Sequence, residues 1–291
     1  MNFTLSSKQK AAIEAGRIKR KRLIRACTQA ASTKRSTASR KHTYIFGSAG
    51  IGKTYLSEKA VKDSGVKYVT VSGNVSMFAF AINLACIKWT SKPNEKVVVI
   101  IDDCDEILKD AKTINQMKEL LGKDVMSYNK RFHINSVGEE GSIPYLAVQD
   151  CMVDGQMGFS VDCSNFTFII TSNAKLNYDS DPEEIAAKNG GMDNAKSIRA
   201  RNLSAIRRRC NTKDIDLTFE EKWGNLALVT LEDNLCDDCS EQELIFILDY
   251  MWNHWDNLTE TNISTVAAII DIIREESPED VKDAIDADFL K

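Results

Sequence analysis

The run GSAGIGKT at residues 47–54 places glycines, a lysine and a threonine in the pattern G-x-x-x-x-G-K-[ST]. Gly47, Gly50 and Gly52 let the backbone turn tightly. Together with Ser48, Ala49 and Ile51 they can aim successive N–H groups at a phosphate, and a helix starting there adds the positive end of its dipole. Lys53 supplies a cation for the β- and γ-phosphates, and Thr54 a hydroxyl for a magnesium ion. The chemistry these residues can do is to hold a nucleoside triphosphate, ATP, with Mg²⁺.

Three further sets of residues fit the same chemistry. The run VVVIIDDCDEI at 97–107 ends a β-branched strand in carboxylates. Asp102 is the residue expected to serve the metal, and Asp103 the one expected to orient and polarise an attacking water. For Asp103, Asp105 and Glu106 the alternative is that they cap the following helix. FIITSN at 168–173 ends a second apolar strand in Ser172 and Asn173. An amide at the carboxyl edge of an open sheet can bond the water or the γ-phosphate, because ligands bind at that edge. Its alternative is a simple turn. Finally, AIRRRC at 205–210 sets Arg207, Arg208 and Arg209 in a row in a chain of net charge −4. A planar, always charged guanidinium suits a phosphate. The alternative is a solvated or DNA-facing basic cluster, aided by Lys196, Arg199 and Arg201.

These residues need a scaffold that brings strand ends together. TYIF, VKYVTVSG, KVVVIID and FTFIITSN read as strands. The runs 53–64, VSMFAFAINLACIKWT and 106–130 read as helices, the second of them buried. Continuous β-branched runs mark strands covered on both faces. Strand and helix alternating predicts an α/β fold, a doubly wound parallel sheet. Residues 142–162 read as a hairpin about Asp154-Gly155. After residue 210 the strands mostly stop, and helices are expected near 219–231, 240–255, 262–276 and 278–288. Ser240 with Glu243 forms a capping box, and Ser277-Pro278 with Asp280 a second start signal. The division expected is therefore a basic helical arm and linker over 1–42, a nucleotide-binding core over 43–211 and a small helical lid over 212–291.

Charge is uneven. Residues 1–42 hold 12 Lys or Arg against one Glu, and residues 231–291 hold 3 against 17 acids. Arg17, Lys19, Arg20, Lys21, Arg22 and Arg25 fall within nine residues, which fits contact with the phosphates of DNA or RNA. The competing reading is an arm that meets the acidic C-terminal region of a neighbouring copy. No run is long and apolar enough for a membrane span or a signal peptide, so a cytoplasmic protein is expected. Eight cysteines scattered over 291 residues suggest reduced thiols. Cys236 and Cys239 form one CxxC without the two further ligands zinc needs.

The order GSAGIGKT, VVVIIDD, FIITSN, LSAIRRRC and a helical tail resembles the AAA+ ATPases, over roughly residues 40–290. The Asp-Asp pair is similar to that of replication initiators, and RRRC to the Ser-Arg-Cys of clamp loaders. The short chain with a basic arm looks like compact ATPases of phages and mobile elements, helicase loaders among them. The resemblance implies a P-loop NTPase core with a helical lid, ATP hydrolysis with Mg²⁺, and a ring or helical homo-oligomer. It also implies that Arg209, or Arg208 or Arg207 if the register slips, reaches a neighbour's γ-phosphate. Its action would be on nucleic acid in a replication-type role; the alternative is remodelling of protein complexes, or a nucleotide-switched scaffold. Two departures stand out. Asp103 replaces the common Glu, which suggests slow hydrolysis. The arginine expected near the start of the third lid helix is missing from TNISTVAAII, where Ser264 and Thr265 stand instead. Several branches of the family direct a hairpin like that at 142–162 into a ring pore. Here Ile143–Cys163 has no Lys or Arg but carries Tyr145, Met152, Met157 and Phe159, which suits a protein contact at least as well.

Overall fold

The computed structural model describes residues 4–32, 40–48, 50–72, 75–102, 111–152, 157–173, 203–215, 217–233, 239–276 and 280–290. It divides into two compact units. One comprises Ile24–Gly47 and Lys53–Asp214; the other comprises Met1–Leu23, Ser48–Gly52 and Ile215–Lys291.

The first unit is the expected α/β fold. Strands β1 (His42–Gly47), β2 (Lys67–Ser72), β3 (Val97–Asp102), β6 (Phe166–Ser172) and β7 (Cys210–Ile215) form one sheet in the order β2-β3-β6-β1-β7. The pairs β2–β3, β3–β6 and β1–β6 are parallel. Every residue of β1 and β6 is buried, as is β3 from Val97 to Ile101, which is why these segments read as unbroken apolar or β-branched runs. The helices are α2 (Lys53–Asp63), α3 (Met77–Trp89), α4 (Ala111–Lys123) and α5 (Ile143–Asp150). α3 is the apolar helix of the sequence and buries Phe80, Ala81, Leu84, Ala85 and Ile87. Ser76 starts it by accepting from the Ala79 N–H.

Two expectations are corrected here. Residues 106–130 are not one helix. Among the described residues α4 stops at Lys123, Asp124 takes a left-handed φ of 55°, and β4 (Val125–Tyr128) follows. Residues 142–162 are not a hairpin. Ser142 accepts from the Tyr145 N–H and Pro144 lies in the first turn, so the first half is helix α5. The second half is β5 (Phe159–Asp162), whose antiparallel partner is the distant β4 rather than its own neighbour. Phe78, Tyr128, Phe132 and Phe159 form an aromatic cluster there, with Phe78–Tyr128 centroids 4.7 Å apart. A cross-strand partner that far off in sequence leaves no local signal. Asp154 and Gly155 lie outside the described residues, as do Ser277 and Pro278.

The second unit contains α6 (Phe219–Glu232), α7 (Glu241–His254), α8 (Ile263–Glu275) and α9 (Val281–Phe289). The capping box at Ser240 and Glu243 is present, and Thr218 with Glu221 forms another. Helix α1 (Ser7–Ala31) does not extend as a free arm. In this unit Ala12 joins Trp223, Ala227 and Leu248 in one apolar cluster. Arg17 pairs with Glu232 at 2.6 Å, Lys19 with Glu221 at 3.4 Å, and the nearly buried Arg20 with Asp233 at 2.5 Å. The basic helix therefore meets acids of its own chain. Its last turn, counted with the α/β unit, gives its carbonyls to Lys96, whose Nζ donates to Ala30 O, Ala31 O and Ser32 O.

The approach of α1 to α6 depends on two glycines. A Cβ on Gly224 would stand 1.9 Å from the Ala12 carbonyl oxygen, and one on Gly16 would stand 2.5 Å from the Asn225 amide nitrogen. The neighbours are backbone and cannot turn aside. Gly224→Ala should cost about 2–3 kcal/mol and lower Tm by roughly 5–10 °C. Calorimetry giving an unchanged Tm would show that this approach is looser than described.

Candidate functional site

The sheet register brings the chemical residues to one edge. The pair Ile101↔Ile170 is followed by Asp102 on β3 and Thr171 on β6, and Phe46↔Ser172 is followed by Gly47 and Asn173. All lie at the carboxyl ends of parallel strands, where an open α/β sheet receives its ligand. β6 lies between β1 and β3, so Asn173 sits between the lysine that follows β1 and the carboxylate that ends β3.

The loop after β1 has positive φ at Gly50 (74°) and Gly52 (75°). Side-chain-bearing residues rarely adopt this conformation, and alternating it with ordinary backbone turns successive N–H groups toward one concavity. Helix α2 starts at Lys53. The Lys53 side chain is buried, and its Nζ donates to Gly47 O at 3.0 Å and to Asn173 Oδ1 at 2.9 Å. A buried ammonium must be hydrogen-bonded, so these two acceptors hold it at the sheet edge. Beneath it, Ser57 Oγ donates to Lys53 O at 2.7 Å and accepts from the Cys27 thiol at 3.4 Å. Burial pushes that thiol up to about 11, so at neutral pH it packs as a neutral group.

Thr54 Oγ1 donates to Asp102 Oδ1, and Thr171 Oγ1 donates to the same oxygen. Thr54 and Asp102, the two residues expected to serve a metal, are in contact. A hydroxyl and a carboxylate are hard oxygen donors of the kind Mg²⁺ takes. Thr171 was not anticipated. Alternation along β6 sends Thr171 and Asn173 to the same face, and that was the signal available. Ala49 and Asp103 lie outside the described residues, as do Asp105, Glu106, Lys196, Arg199 and Arg201. So does Cys236, and no group of three His, Cys, Asp or Glu suited to a metal occurs among the described residues.

The arginine run lies elsewhere in the α/β unit. Residues 203–209 are helical, and all three arginines sit in the last turn of that helix. Buried Leu203 and Ile206 anchor that helix in the core. Arg207 and Arg208 are exposed and Arg209 is half-buried. Arg209 Nη1 donates to Ala205 O at 2.9 Å, and its guanidinium lies against Gly122 of α4, where a Cβ would stand 2.5 Å from Nε. Arg40 was also unanticipated. Its Nη1 donates to Arg207 O at 3.1 Å and Cys210 O at 2.8 Å, supplying the donor that a helix end needs.

A family model described as "ATPase family associated with various cellular activities (AAA)" matches residues 43–182, the stretch that carries the 47–54 loop, Asp102 and Asn173. No curated protein matches the chain.

Proposed function

Through residues 43–182 this chain belongs to the AAA+ ATPase superfamily, and from that premise we propose that it is an oligomeric ATPase acting on nucleic acid. The observation that carries the nucleotide part is Lys53 held between Gly47 and Asn173, beside Asp102 and its two threonine donors. Lys53 turns from these acceptors to the β- and γ-phosphates of ATP, and loop N–H groups cradle them. Thr54 and Asp102 would hold Mg²⁺, which would offset the negative charge of the phosphates. Asp103 orients the attacking water, and Asn173 bonds it or the γ-phosphate. Developing charge on the γ-phosphate is met by an arginine of the next subunit. Arg208 suits that role, being exposed, while Arg209 keeps its helix on α4.

Nucleic-acid contact rests on what is left of the basic cluster. Arg17, Lys19 and Arg20 are neutralised within the chain. Lys21, Arg22 and Arg25 are exposed, and with Ile18 they follow the i, i+3, i+4, i+7 spacing of a single face of α1. Such a face suits a phosphate backbone. Changing all three to Glu should weaken binding of a DNA or RNA oligonucleotide more than ~10-fold at low salt. It should also reduce the slope of log K against log salt by ~2–3. Wild-type turnover and assembly indifferent to any oligonucleotide at low salt would exclude this role. A second reading, the remodelling of protein complexes, is favoured by Ile143, Met152 and Met157, which are 52%, 43% and 59% exposed in a segment without base. Stimulation of turnover by a protein and by no nucleic acid would decide for it. No helix among the described residues is long and apolar enough to cross a membrane.

A further inference from the structure

The phosphate loop is held by a side chain from the C-terminal helices. Asn225 on α6 is 6% exposed, and its Nδ2 donates to Ile51 O at 2.9 Å. The same unit places Asn262, the N-cap of α8, against the loop: a Cβ on Gly50 would stand 3.0 Å from the Asn262 Cβ. Asn262 itself is fixed by accepting from the Thr265 N–H at 3.0 Å. The residue before Asn225 is Gly224, which presses on α1. The backbone at Asn225 is thus set by close packing, and its amide is presented from a rigid helix.

We propose that Asn225 is the positioning residue that couples the C-terminal helices to the nucleotide, in a chain with Ser264 and Thr265 where a lid arginine would stand. The inference rests on the reading of residues 47–54 as the phosphate site. Its physical basis is the peptide plane. In a trans peptide the carbonyl and the following N–H point in opposite directions. A donor on Ile51 O therefore fixes the direction of the Gly52 N–H, one of the groups a phosphate would need. Without Asn225 that peptide is free to rotate, since glycine at 52 tolerates many conformations. The coupling runs both ways. A phosphate on the Gly52 N–H polarises the peptide and strengthens the bond its carbonyl accepts. Nucleotide then binds more tightly when α6 is seated, and α6 is held more firmly when nucleotide is bound.

The test uses the full chain, a fluorescent ATP analogue, and two substitutions, Asn225→Ala and Asn225→Asp. The first removes the donor; the second places an oxygen opposite the Ile51 carbonyl with little change in shape. Both should weaken the analogue about tenfold, the aspartate at least as much. The rise in Tm on adding nucleotide should shrink. A merely structural Asn225 would lower Tm equally with and without nucleotide and leave the affinity alone. Hydrogen exchange on the unsubstituted protein decides the matter even where a variant fails to fold. Nucleotide should slow the amides of 219–232. Wild-type affinity in both variants, or exchange in 219–232 that ignores nucleotide, would overturn the coupling while leaving the phosphate site standing. An unsubstituted protein that binds no nucleotide would overturn both.

Discussion

Lys53→Ala should bind ATP at least ~100-fold more weakly than the unsubstituted protein and show no measurable hydrolysis. Lys53 is the only basic side chain in the loop 47–54. It is buried and oriented by two acceptors before any phosphate arrives. A charge-assisted hydrogen bond is worth about 1.5–3 kcal/mol, roughly 10–150-fold, and one lysine can serve two phosphates. The fold should survive. Removing the ammonium leaves Gly47 O and Asn173 Oδ1 with one fewer donor but strands no buried charge. Titration of a fluorescent nucleotide, with circular dichroism as the control, measures both. Wild-type affinity in the variant would mean that the loop does not bind phosphate as described.

Arg208→Ala should retain nucleotide affinity within about twofold yet lose at least ~1000-fold in turnover, the low end of what arginine fingers supply. The pattern follows from where the group would act. A guanidinium brought by a neighbour adds little to ground-state binding and much to the transition state. Mixing separates this from a role within one chain. Asp103→Ala protein lacks the carboxylate proposed to orient the water but keeps its arginines; Arg208→Ala protein has the reverse defect. Combined, the two inactive proteins should recover part of the activity, because some interfaces pair an intact site with an intact arginine. No recovery in assemblies shown to mix would place the arginine in its own chain's site or outside catalysis. Arg209→Ala is the informative companion. With its guanidinium against Gly122, its loss should lower turnover by loosening the helix that presents Arg208. Recovery with Arg209→Ala and not with Arg208→Ala would assign the contact to Arg209 instead.

Local chemistry made much of the protein readable. GSAGIGKT reads as a candidate phosphate loop because its glycines, lysine and threonine are consecutive in the chain. VVVIID and FTFIITS read as buried strands because both their faces are covered, and the structure has them paired at the centre of the sheet. Ser240–Glu243 worked as a helix start because capping is a four-residue interaction. The failures share one cause. Val125–Tyr128 looked helical and 142–162 looked like a hairpin, since neither segment carries a trace of the partner it finds more than 30 residues away.

The same division separates the charges and the site. Sequence alone determined that the N-terminal segment is basic and the C-terminal one acidic, and it supplied the residues proposed to meet a phosphate. Only the tertiary structure decided that Arg17, Lys19 and Arg20 close on Glu232, Glu221 and Asp233 while Lys21, Arg22 and Arg25 stay exposed. It also decided that Thr171 shares the Asp102 oxygen with Thr54, that Arg209 turns inward beside two exposed arginines, and that an asparagine 174 positions away holds the phosphate loop. Motifs of consecutive residues carry their geometry with them. A hydrogen bond between distant residues exists only once packing has brought them together, and nothing in either segment records the other.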